Sequence, residues 1–210
     1  GHSFSSRRVI AIQHGEQIFH MAASFQVPEM GLDHQAPMPE VPPPESLRSS
    51  FDVPESVLAV LPPEALRFLR VGTPFEFRAV DPVDYVRPRV QPPRQAVWFR
   101  AVDRLPDDPL LHHCLLAYAS DYYLVGTAMR PHGLTFLSPG VVMASIDHAM
   151  WFHRDVDPTQ WMLYDQTSPS AQGGRGLGTG RFFTQDGRLV ASDARSEEHT
   201  SELQSRLHIV

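Results

Sequence analysis

Lysine is absent from this chain of 210 residues, so that all 18 of its Lys/Arg positions are arginine. The bias reads as GC-rich coding and not as a binding device. The net charge is −6, and no basic cluster or nucleic-acid motif accompanies the arginines, which argues against a nucleic-acid partner. Long apolar runs are missing as well. No stretch reaches the roughly 18 consecutive apolar residues of a membrane-spanning helix. The opening "GHSFSSRRVIAIQHGE" lacks the layout of a secretory signal, so a soluble, intracellular chain with no membrane partner is expected. The single cysteine, Cys114, cannot form an internal disulfide and is expected to be a small buried hydrophobe. No GxSxG elbow, HExxH or Cys/His pairing occurs, and "GGRGLGTG" lacks the helix and Lys-Ser/Thr order of a phosphate loop, so it reads as a strand bend. His112, His113, His148 and His153 offer no convergent metal set, since adjacent residues on a helix diverge by about 100°. Neither a metal nor a cofactor is expected.

What is present is a 42% hydrophobic fraction, enough for a real core, and a clear change of pattern along the chain. "SFSSRRVIAIQ" and "QIFHMAASFQ" alternate around the turn "HGE", which predicts a hairpin over residues 1–26 that needs partners to be stable. Residues 27–74 are proline-rich, with short helical patches broken by Pro62 and Pro63, and read as a linker. Strands follow at "PFEFRAVD" and "AVWFRAVD". One long helix is then predicted over "PDDPLLHHCLLAYASDYYL", with Asp107 and Asp108 at its start and Pro109 in its first turn. It is apolar over most of its circumference, as a helix wrapped by a curved sheet would be. Four strands close the pattern: "VVMASIDHAMWFHR", "QWMLYDQTSPSAQGG", "GLGTGRFFTQDG" and "RLVAS". The predicted fold is α+β, with one central helix inside an antiparallel sheet over residues 75–194, which is the hotdog architecture. The opening hairpin would be the rear strands of a second, incomplete unit, making a double hotdog.

Two polar positions stand out. Asp121 lies near a helix C-terminus, where the dipole disfavours a carboxylate; it is either a solvent-facing helix end or a partnered functional group. Ser145 interrupts an apolar run, and alternation places Ser145, Asp147 and Trp151 on one face and Ile146, His148 and Met150 on the other. A strand with no wholly polar face reads as central and buried on both sides, where its polar groups are either structural and satisfied or functional.

The segments "LLAYASDYYL", "RPHGLTFLSPG", "ASIDHAMWFHR" and "FFTQDGRLVAS" resemble, in order, the acyl-CoA thioesterase II family, and "SFSSRRVIAIQHGEQIFHMAASFQ" is similar to that family's first hotdog. The likeness runs from about Ser3 to Ser192. It implies a double-hotdog enzyme that hydrolyses acyl-CoA to fatty acid and coenzyme A, with acyl-CoA as partner, no cofactor, a homo-oligomeric full-length state and a cytoplasmic location, or a peroxisomal one in a eukaryote. The catalytic set it implies is an Asp, a Thr or Ser, and a Gln around one water. The first two fall on Asp121 and Ser145. The glutamine position, three residues past "VAS", falls on Arg195.

Two departures accompany the likeness. Family members begin further upstream, so the chain is expected to be truncated at its N-terminus. The ending "RSEEHTSELQS" resembles a translated sequencing adapter, so residues 195–210 are expected to be a non-native tail without a periodic face, and hydrolysis is expected to be impaired. Two other readings stay open: a non-catalytic acyl-CoA binder, and an enoyl-CoA hydratase, against which adjacent Asp147 and His148 argue by pointing to opposite faces of a strand.

Overall fold

The computed structural model describes residues 3–59, 61, 63, 66 and 73–201. They fall into two compact units, residues 1–34 and 35–210. The first is an antiparallel hairpin of β1 (Phe4–Gln13) and β2 (Glu16–Gln26). His14 and Gly15 form its two-residue turn with φ of 51° and 87°, the left-handed pair that matches strand twist. Phe4, Ile12, Ile18 and Phe25 of this hairpin are all more than half exposed.

In the second unit, a 3₁₀ turn (Pro44–Ser46) and a short helix α1 (Glu55–Leu58) precede a six-stranded antiparallel sheet. Its strands are β3 (Phe75–Ala79), β4 (Arg94–Ala101), β5 (Val141–Phe152), β6 (Met162–Gln172), β7 (Arg175–Thr184) and β8 (Leu189–Ser201), in the spatial order β3-β4-β6-β7-β8-β5. Period-two alternation sorts the side chains. Phe75, Phe77, Val97, Phe99, Tyr164 and Phe182 face the helices and form the main core with Leu116, Ala119 and Leu124. Trp98, Trp161, Leu163 and Phe183 face the other way, and there Met38, Val41 and Leu47 cover them. Part of the stretch read as a linker is thus packed on the sheet. The Trp98 indole donates to Pro42 O at 2.9 Å, and Arg78 donates to Pro44 O at 2.7 Å.

Helix α2 (Pro109–Ala119) starts as its sequence predicts: the Asp108 carboxylate accepts from the backbone N–H of Leu110 at 2.9 Å and of Leu111 at 3.4 Å, and Pro109 takes the first position. The predicted long helix, however, stops at Ala119. Ser120 turns its hydroxyl back to Ala117 O at 2.6 Å, Tyr123 is left-handed with φ of 68°, and a second helix α3 (Leu124–Met129) begins. Only one face of α2 is buried, the one that carries His112, Leu116 and Ala119, while Leu110 and Tyr118 are exposed. Cys114 is exposed too, and so is not the buried hydrophobe expected, because it sits on the open face.

Three further expectations are corrected. Strand β5 is an edge strand and mostly exposed, where a central, doubly buried one was expected; it pairs only with β8 among the described residues. Gly173 and Gly174 are not a bend within a strand but the two-residue turn between β6 and β7, with φ of 62° and 72°. The stretch from Arg195, read as lacking a periodic face, continues β8 to Ser201: Asp193, Arg195 and Glu197 alternate inward while Ala194 and Ser196 point away. Polar residues at period two satisfy a strand as well as apolar ones when their partners face them.

Candidate active site

Asp121 follows directly on the cap of α2, and its side chain is 64% exposed. Ser145 lies on β5, where the pairing with β8 shifts between Ser145 and Asp147. That one-residue bulge changes the expected alternation. Ser145 and His148 now reach the same inner cluster, whereas the Asp147 carboxylate accepts from the Ser196 backbone N–H at 2.9 Å. The structure therefore brings together Asp121 and Ser145, the two residues singled out in the sequence, from opposite sides of residue 195.

Arg195 is the group they meet. Its guanidinium donates through Nη1 to the Asp121 carboxylate, and also to Asp121 O at 3.3 Å, and through Nη2 to Ser145 Oγ. Its side chain is 6% exposed, and its Nε lies 2.6 Å from Glu197 Oε1 as an ion pair, not an aligned hydrogen bond. Glu197 is itself almost fully buried. Burial pushes its carboxyl up to about 7, Asp121 adds to the rise, and Arg195 and His148 work against it.

The room for these charges comes from glycine. On β7, Gly176, Gly178 and Gly180 stand opposite Glu197, Arg195 and Asp193. A methyl group on Gly178 would lie 2.9 Å from the Leu124 side chain, and one on Gly180 would overlap the Tyr164 ring and the Asp193 carboxylate. The glycine row thus lets α3 settle close to the sheet, leaving a cleft lined by Leu124, Val125, Ala128, Arg195 and Glu197.

Beneath the cleft lies a second polar layer. The Tyr164 hydroxyl donates to Asp193 Oδ2 at 2.5 Å, and His148 Nε2 is 3.5 Å from the same oxygen and 3.3 Å from Ser120 Oγ. Burial pushes the Tyr164 hydroxyl well up, and the Asp193 charge pushes it further. Asp193, Glu197, Tyr164 and the buried glutamines of β4 and β6 were not singled out from the sequence. The signal for the first two was the alternation D-A-R-S-E, hidden by its polarity. His112, by contrast, lies away from this cluster, with its two ring nitrogens 3.0 Å from Val156 O and 2.9 Å from Pro106 O. No group of three or more His, Cys, Asp or Glu suited to a metal occurs among the described residues, and none of their helices is long and apolar enough to cross a membrane.

A helix packed inside one antiparallel sheet, with charges gathered where the helix ends, defines a hotdog-fold protein. A protein from Alicyclobacillus acidocaldarius described as having a hot dog fold superposes with a TM-score of 0.71 over 95% of this chain and 68% of that one, at 19% identity, a likeness of fold alone. A model of the acyl-CoA thioesterase family matches residues 78–201. The chain is 41% identical to an acyl-CoA thioesterase II, TesB2, from Mycobacterium marinum, with a TM-score of 0.74 over 96% of this chain and 70% of that one. It is 40% identical to acyl-CoA thioesterase 2 of Haemophilus influenzae over 91% of this chain and 67% of that protein, and 38% identical to human acyl-coenzyme A thioesterase 8 over 93% and 63%. The chain belongs to the acyl-CoA thioesterase family, and it spans about two thirds of the length of these curated relatives.

Proposed function

We propose that this chain belongs to an enzyme that hydrolyses acyl-CoA thioesters with a water activated by Asp121 and oriented by Ser145. The observation that carries the reading is the convergence of the Asp121 carboxylate and Ser145 Oγ on one point, now filled by the Arg195 guanidinium. A water there would give a proton to Asp121, and its oxygen would attack the thioester carbonyl carbon. The tetrahedral intermediate would then expel the coenzyme A sulfur, which takes up the proton, leaving a free fatty acid. Acyl-CoA is the partner, and the cytoplasm is the expected place of the reaction. Arg195 opposes this chemistry, because its guanidinium fills the position of the water between Asp121 and Ser145.

The test is release of free thiol from a medium-chain acyl-CoA by the full chain and by Arg195→Gln, alone and combined with Asp121→Ala or Ser145→Ala. Low release by the chain, a rise with Arg195→Gln, and its loss in either double variant are expected. Undiminished release in the double variants would sink the assignment. The ion-paired, filled site also favours a second reading, a non-catalytic acyl-CoA binder. Retention of acyl-CoA with no thiol release by Arg195→Gln would decide for it.

A further inference from the structure

The last carbonyls of α2 are met by the turn that follows it, through the N–H groups of Ser120, Asp121 and Tyr122 and the Ser120 hydroxyl. The turn in its own right is held from below: Tyr122 O and Tyr123 O, which already accept from the N–H groups of Leu124 and Gly126, are also reached by buried amide side chains of the sheet. Gln166 Nε2 donates to Tyr122 O at 3.2 Å and Gln95 Nε2 lies 2.6 Å from Tyr123 O, whereas the Tyr164 hydroxyl, 3.1 Å from Ser120 O, gives its one hydrogen to Asp193. Gln95 and Gln166 are register partners across β4 and β6. Both are buried, as is Tyr164, at 6%, 0% and 1% exposure. Gln95 Nε2 is also 2.7 Å from Thr127 Oγ1 and 2.8 Å from Gln166 Oε1, while Arg130 Nη1 donates to Gln95 Oε1 at 3.3 Å. With two hydrogens, the Gln95 amide serves two of its three neighbours, and the Thr127 hydroxyl, 3.2 Å from Gln166 Oε1, can serve that oxygen in turn.

Two glutamines side by side in a core are unfavourable unless their groups are satisfied, and apolar residues of the same size would fill this space without that condition. What they hold is the turn that carries Asp121, including left-handed Tyr123, a strained conformation for a non-glycine residue. We propose that Gln95 and Gln166 are positioning residues that fix the turn after α2 and, through it, the direction of the Asp121 carboxylate; this rests on Asp121 being the base. Their role is to keep one backbone conformation, so their loss is expected to lower turnover and leave acyl-CoA binding alone.

Two measurements test this on the full chain. Gln166→Met and Gln95→Met each keep the volume and remove the amide that reaches the turn. In both, amide hydrogen exchange at residues 121–124 is expected to rise at least about tenfold, while the β7–β8 ladder stays protected. In the Arg195→Gln background, kcat is expected to fall by up to about a hundredfold, as for a misplaced catalytic group, with KM within about twofold. Unchanged exchange, or faster exchange with unchanged kcat, would overturn the inference. If Asp121→Ala leaves hydrolysis intact, the reading of the base fails instead. If Asp121→Ala abolishes hydrolysis while Gln166→Met and Gln95→Met leave both readouts alone, only the positioning role is lost. If no variant hydrolyses, the exchange measurement decides by itself.

Discussion

Replacing Arg195 with glutamine removes the guanidinium that Glu197 leans on, and the consequence for stability depends on pH. Breaking a buried ion pair costs about 3–5 kcal/mol when the remaining charge stays ionised. Glu197 has an alternative, because its carboxyl is already pushed up to about 7 and can take a proton. Holding that proton costs about 1.4 kcal/mol for each pH unit above the pKa. At about pH 6 the charge penalty is therefore close to nothing, and at about pH 8 it is capped at about 1.4 kcal/mol. The bonds to Asp121 and Ser145 add little, since both residues are exposed and water replaces them.

The sign follows from the raised carboxyl. Stability from a group whose folded pKa lies above its ordinary 4.5 is full below that value and is lost as pH rises through about 7. Without Arg195, which held the carboxyl down, the loss deepens toward alkaline pH. A chain of this size shifts its melting point by about 2–4 °C per kcal/mol, so the destabilisation by Arg195→Gln should be larger by up to about 3–6 °C at about pH 8 than at about pH 6. Thermal melts followed by circular dichroism at the two pH values measure it, and within a Glu197→Gln background the effect of adding Arg195→Gln should be the same at both. Equal destabilisation by Arg195→Gln at both pH values, or an effect that still differs with pH in the Glu197→Gln background, would refute the reasoning.

Two other outcomes follow from packing and capping. Gly180→Ala should lower stability by about 1–3 kcal/mol, through overlap with Tyr164 and Asp193, whereas Gly31→Ala, with nothing within 4 Å of its added methyl, should leave the melting point unchanged. Asp108→Ala removes the acceptor for the Leu110 and Leu111 amides and should cost about 1 kcal/mol by urea denaturation, with Asp108→Asn recovering most of it.

Several elements are legible along the chain because their causes are local. The cap at Asp108, the left-handed turn at His14-Gly15 and the alternation of Phe75, Phe77, Val97 and Phe99 each depend on residues within a few positions. The motifs around Asp121 and Ser145, and the place of residue 195 relative to "VAS", are also read from the chain. Other features are set by neighbours distant in sequence. The bulge after Ser145 exists only in the register between β5 and β8, and it turns His148 to the same side as Ser145. The glycine row of β7 has meaning only under α3 and beside the charges of β8.

The sequence by itself determined the order of the strands and the place of the helical segment among them, the antiparallel hotdog class, the family, and the three positions that meet at the site. Only the tertiary structure decided that β5 is an exposed edge, that α2 ends at Ala119, and that Arg195 sits between Asp121 and Ser145 on a buried Glu197. The physical reason is one of range. Caps, turns and periodicity act within a few residues, whereas burial, charge pairing and the satisfaction of a helix end depend on which strand lies opposite.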